Sequence, residues 1–193
     1  MPEGLRERGP GKARKALLLI DVINALEFDG GDQLLPSALE MADCIVALKD
    51  ATYLRNVPTI YVNDNFSRWQ SNFDLLVESS LESGVKGAPV IRKLVPDARD
   101  YHVLKPHQSG FFGTPLSLLL EHLEVSDLIL AGLTTDRCVM FTAIDAYMRG
   151  YRIGVPSDCC AAIERRHHED ALGYIERVLK ADVRPWADQL GRE

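Results

Sequence analysis

The chain has 193 residues, 46% hydrophobic and 26% charged, with a net charge of -6. That length fits one domain able to bury roughly 70% of the surface its unfolded form exposes, and the composition excludes disorder for most of the chain. The acidic balance excludes a basic field for nucleic acid or an anionic membrane surface as partner, and the early apolar run ALLLI is far short of the ~20 residues of a membrane span.

In chain order, residues 1–14 open the stretch MPEGLRERGPGKARK, whose five basic and two acidic side chains are interleaved with Gly and Pro and followed by no apolar h-region. This reads as a flexible tail rather than a signal peptide, with residues 15–193 as a single domain. A short apolar run at 16–20 predicts a strand ending at Asp21. Residues 36–55 predict a helix opening on Pro36 and Ser37, with Met41, Ile45 and Leu48 on one face. A second strand follows at 59–63. Residues 64–100 break any clean period and read as loop, a short helix near 73–82, and a second loop. The strand predicted at 101–104 ends in Lys105 and Pro106, and a helix at 114–123 opens on Thr114 and Pro115. The strand at 127–131 leads through Gly132 into a helix at 137–149, where Asp145 is the one charge between Val139 and Met148. So apolar a helix is predicted to be nearly enclosed. A strand at 151–155 and an amphipathic helix at 165–180 complete the pattern.

Five apolar strands separated by helices imply right-handed crossovers. The predicted fold is α/β, a three-layer sandwich with a doubly wound, mainly parallel, Rossmann-like sheet. Neither GxGxxG nor GxxxxGK[ST] occurs, so no nucleotide cofactor is expected. Cys44, Cys138, Cys159 and Cys160 lack CxxC spacing and fit a reducing cytoplasm.

Open α/β sheets bind ligands beyond the carboxyl ends of their strands. An acid (Asp21), an ammonium (Lys105) and a thiol (Cys138) leave this sheet there. Cys138 falls in the first turn of a helix, where unpaired N–H groups and the helix dipole are expected to lower its pKa below roughly 8.5. A thiol nucleophile needs a base or a cation beside it, and Asp21 and Lys105 supply both types. The N–H groups of Cys138 and of the turn near Thr134 could receive an oxyanion. The plainer alternatives are a packing cysteine, a turn aspartate and a solvated lysine. Cys44, Cys159 and Cys160 read as structural. His102, His107, His122, His167 and His168 contain no i, i+4 ligand pair. They read as solvated or packing residues, and no metal is expected.

The segments KALLLIDVINALEF, VLKPHQSGFFGT and LILAGLTTDRCV, in that order, resemble the signature regions of the isochorismatase-like cysteine hydrolases, and AIDAYMRGYRIGVPSDCCAA resembles their continuation. The resemblance covers roughly residues 15–180. It implies the isochorismatase-like hydrolase fold and an Asp21–Lys105–Cys138 triad, with Cys138 forming a covalent acyl-enzyme. It also implies an oxyanion hole at Thr134 and Cys138, a cis Leu133–Thr134 peptide, and a homodimer or homotetramer. The region YVNDNFSRW lacks the histidines of the metal-dependent nicotinamidases, and the glutamine usual two residues after the aspartate is Ile23 here, whereas Asn24 is retained. Asn24, Phe28, Trp69, Phe111 and Phe112 are the candidate substrate-binding residues, the aromatics doubling as candidates for plain core. The implied activity is metal-independent hydrolysis of a C–N bond in a small amide or ureide. Vinyl-ether hydrolysis and a non-catalytic, redox-sensing use of Cys138 are the alternatives.

Overall fold

The alternation of apolar runs with amphipathic stretches gives a parallel sheet sandwiched between two helical layers. The computed structural model describes residues 14–66, 72–82 and 84–190, so the tail expected at 1–14 lies, but for Arg14, outside the described residues. Its elements are β1 (Arg14–Ile20), α1 (Gly31–Tyr53), β2 (Thr59–Asp64), α2 (Phe73–Ser80), α3 (Ala88–Lys93), β3 (Tyr101–Lys105), α4 (Leu116–His122) and β4 (Val125–Leu133). A π-helical turn (Thr135–Val139) then runs into α5 (Met140–Met148). It is followed by β5 (Arg152–Gly154), a 3-10 turn (Ser157–Cys159), β6 (Cys160–Ala161), α6 (Arg165–Leu179) and α7 (Trp186–Leu190).

The sheet order is β3-β2-β1-β4-β5, every pairing is parallel, and β6 continues the β5 edge by pairing with the end of β4. Because strand side chains alternate between faces, β1 feeds two cores. Leu17 and Leu19 pack with Met41, Ile45 and Leu48 of α1, and Leu18 and Ile20 pack with Leu116, Ala143 and Ile175 of α4, α5 and α6. The order reverses between β1 and β4, which opens a crevice at their carboxyl ends.

Three expectations need correction. Helix α1 begins at Gly31 and carries Pro36 inside it. Burial of Gly31 and Leu34 anchors this extra turn. Part of the stretch read as loop is α3, held by buried Val90 and Ile91. Helix α5 is not enclosed. Its Thr142, Ala143 and Ala146 face the sheet, while Phe141 and Tyr147 are each 48% exposed and Met148 68%.

Candidate active site

Asp21 leaves β1 with a left-handed backbone, φ 51, a conformation that Asp tolerates better than most residues. Its N–H donates to the Val62 carbonyl at 3.0 Å. Its Oδ1 accepts from the Asp64 N–H at 2.6 Å, and its Oδ2 lies 2.8 Å from Lys105 Nζ. Lys105, the last residue of β3, has no exposed surface. The same ammonium lies 3.7 Å from Asp64 Oδ2 and donates to Cys138 Sγ at 3.5 Å. Acid, cation and thiol therefore meet at the β1/β4 crevice. Buried charges persist only when paired and hydrogen-bonded, and Lys105 meets that requirement through three groups.

Burial raises the Asp21 carboxyl pKa, against the opposing pull of Lys105. For Lys105, burial works to lower the pKa, but Asp21, Cys138 and Asp64 together hold it above the ordinary lysine value. The Cys138 thiol is pushed up to about 12, first by burial and then by the Asp21 charge, with Lys105 opposing both. The lowered thiol pKa expected from the helix start is thus overturned. A dipole contribution of ~0.3–1 kcal/mol is under one pKa unit, whereas desolvation can reach several. Burial thus favours the protonated thiol, with the Asp21 carboxyl hydrogen-bonded beside it.

The turn that carries Cys138 is π-helical. After extended Thr134, the Thr134 carbonyl accepts the N–H groups of Arg137 at 3.0 Å and Val139 at 3.2 Å. In an α-helix that carbonyl would take the Cys138 N–H; here that group is passed over. Such bulges are frequent at functional sites. No peptide bond among the described residues is cis, so Leu133–Thr134 is trans, unlike the cis peptide that the resemblance implies. With Thr134 already extended, the chain enters the turn without a cis bond.

Thr134 and Cys138 face a cavity of about 380 Å³, lined also by Asp21, Asn24 and Phe28. Asn24 has a second task, since its Oδ1 accepts the Leu26 N–H at 2.9 Å. Phe111 does not line this cavity. It is 5% exposed and packs in the core beside Leu116 and Leu120, stacked on Tyr151. Phe112 points outward, 59% exposed, and makes a T-shaped contact with His107. Trp69 lies outside the described residues. Among those described, no three His, Cys, Asp or Glu side chains cluster to hold a metal ion.

The cavity also uses residues that sequence reasoning passed over: Asp64, Phe66, Asp136, Arg137, Glu164 and His167. Asp64 was recoverable, because it ends β2 as Asp21 follows β1. Glu164 and His167 come from the start of α6, distant in sequence, and carried no signal of their own.

The chain is similar to known proteins over nearly its whole length. The Isochorismatase domain family model matches residues 15–187. The isochorismatase family protein YaaI of Bacillus subtilis (strain 168), itself uncharacterised, is 38% identical over 172 residues, 89% of this chain and 94% of that protein. Among solved structures, N-carbamoylsarcosine amidase from Thermoplasma acidophilum superposes with a TM-score of 0.68 at 28% identity, covering 90% of this chain and 96% of that one. The pyrazinamidase/nicotinamidase of Streptococcus mutans UA159 gives a TM-score of 0.67 at 28% identity, covering 88% and 99%. On the strength of these matches, spread across all the strands that frame the crevice, the chain belongs to the isochorismatase family.

Proposed function

We propose that this protein is a metal-independent cysteine hydrolase that cleaves a C–N bond of a small amide or ureide through a covalent intermediate on Cys138. One observation carries the reading: a fully buried Lys105 joins Asp21 at 2.8 Å to the Cys138 sulfur at 3.5 Å, and Asp21 and Cys138 both line a cavity. The amidase and nicotinamidase named above support the amide class.

In the proposed cycle the Cys138 proton passes to Asp21 as sulfur bonds to the substrate carbonyl carbon. The oxyanion is received at the Cys138 N–H, with Thr134 beside it. Asp21 then protonates the departing nitrogen as the C–N bond breaks, leaving a thioester. Water attacks the thioester, giving one proton to Asp21. The acid leaves, and Cys138 recovers that proton. Lys105 holds Asp21 and offsets negative charge on sulfur throughout.

The test is a panel of small primary amides and N-carbamoyl compounds, with the intact mass of the protein followed during turnover. A covalent adduct on Cys138 is expected, and Cys138→Ala is expected to lower turnover by about 1000-fold or more. Undiminished amide turnover in Cys138→Ala would remove the covalent mechanism, and cleavage of a vinyl ether by both proteins with no amide turned over would favour acid-assisted vinyl-ether hydrolysis.

A further inference from the structure

Helix α6 opens with RRHHED, and Arg165, Arg166, His167, Glu169 and Asp170 are all exposed. His168 alone in that run turns inward. Its Nδ1 lies 2.8 Å from Oγ1 of Thr135, a fully buried residue that opens the π-helical turn three positions before Cys138. The Thr135 hydroxyl has no other hydrogen-bond partner among the described residues. Burial lowers the His168 pKa, with Arg165 adding to the effect and Glu169 and Asp136 opposing it. The pair is joined either by the Thr135 O–H donating to Nδ1 or by Nδ1–H donating to Oγ1, according to the ring's tautomer.

We propose that His168 is a positioning residue for the nucleophile turn. Through Thr135 it keeps residues 135–139 π-helical, so that Cys138 lines the cavity with its N–H not taken by the Thr134 carbonyl. The inference rests on the reading of Cys138 as the nucleophile. The physical reason lies in the cost of the turn. A π-helical turn is rarer than an α-helical one, and relaxing it would let the Thr134 carbonyl capture the Cys138 N–H and withdraw that donor from the cavity. A buried hydroxyl left unpaired is costly. Any rotation of the turn that pulls Thr135 from His168 is therefore resisted, and the anchor sits on a different element from the turn it holds.

The test uses the full chain with His168→Asn, His168→Gln, His168→Ala, Thr135→Val and the Thr135→Val/His168→Ala pair. An Asn amide occupies the place of Nδ1, and a Gln amide that of Nε2. Two readouts are taken: kcat and KM on whichever amide of the panel is turned over, and the rate of Cys138 alkylation by iodoacetamide, with folding followed by circular dichroism. Asn is expected to stay within about threefold of wild type. Gln, Ala and Val are each expected to lose roughly 10- to 100-fold in kcat with KM little changed, because small misplacements of reacting groups cost that much. Alkylation is expected to shift with kcat across the set, and the double variant to fall no further than the worse single one. Wild-type kcat in Gln and Ala, or an Asn variant as impaired as Ala, overturns the proposal. If His168→Ala does not fold, Thr135→Val and the Asn/Gln contrast decide. Absence of amide turnover in wild type would sink the hydrolase reading, while the alkylation series would still decide the positioning role.

Discussion

Asp21 and Lys105 exert opposite influences on the Cys138 thiol, and removing the acid separates them. Asp21 raises the thiol's pKa by its charge and by hydrogen bonding, while Lys105 lowers it. In Asp21→Asn the buried ammonium keeps Asp64 at 3.7 Å and the sulfur at 3.5 Å. A thiolate becomes its natural counter-ion, and the thiol pKa is expected to fall. Each unit of fall gives tenfold more thiolate, offset by a nucleophilicity loss of ~0.4–0.5 log units, so alkylation quickens about threefold per unit. Asp21→Asn is thus expected to label faster with iodoacetamide at pH 7 than wild type while losing amide turnover, because the proton acceptor is gone. Cys138→Ala supplies the background from the other three cysteines. Slower labelling in Asp21→Asn would mean that Asp21 activates the resting thiol instead of masking it.

Between β4 and the π-helical turn that carries Cys138 the decisive residue is Gly132, with φ +121 and a place for Cβ only 2.1 Å from the Ile20 carbonyl oxygen. No side chain fits there, and the strand it would displace ends one residue before Asp21. Gly132→Ala is expected to cost ~3 kcal/mol of stability, combining backbone strain with a steric clash. The effect should appear as a lower urea midpoint at unchanged m, with reduced turnover in the fraction still folded. Strand ends of this kind were legible in the sequence, because continuous apolar runs announce buried parallel strands and topology gathers their carboxyl ends. The order Asp21, Lys105, Cys138 followed from that. What escaped was short or defined by partners rather than by pattern. Helix α3 has six residues, α7 five and β6 two, too few for a period to register. The π-helical turn differs from an α-helical one in which N–H the Thr134 carbonyl takes, and composition does not encode that. Neighbours Phe111 and Phe112 read alike in sequence, yet one fills the core and the other meets solvent.

Across the whole molecule the net charge is -6, and the cavity beside Cys138 is itself rich in carboxylates. Asp21 and Asp64 share Lys105. Around the same cavity Asp29, Asp136 and Glu164 have no Lys or Arg partner among the described residues, and Asp136 Oδ1 is buried with no hydrogen-bond partner. Against them stand Arg137, exposed and without an ion pair among the described residues, and His167, 3.8 Å from Glu164. Like charges about 8 Å apart at an effective dielectric of about 20 repel by ~2 kcal/mol, and 0.15 M salt, with a Debye length of about 8 Å, screens this to roughly 0.8 kcal/mol. A primary amide carrying a carboxylate is therefore expected to show roughly fourfold lower kcat/KM than its neutral isostere. The gap should narrow in 1 M NaCl and shrink in the Asp29→Asn/Glu164→Gln variant. The competing outcome has its own signature. If Arg137 captures the carboxylate, the anionic amide would have the lower KM, and Arg137→Met would abolish that advantage. A tighter KM for the anionic amide that survives high salt would assign the cavity to Arg137 and not to its surrounding carboxylates, because a direct ion pair at short range is screened far less than the summed field of a charged rim.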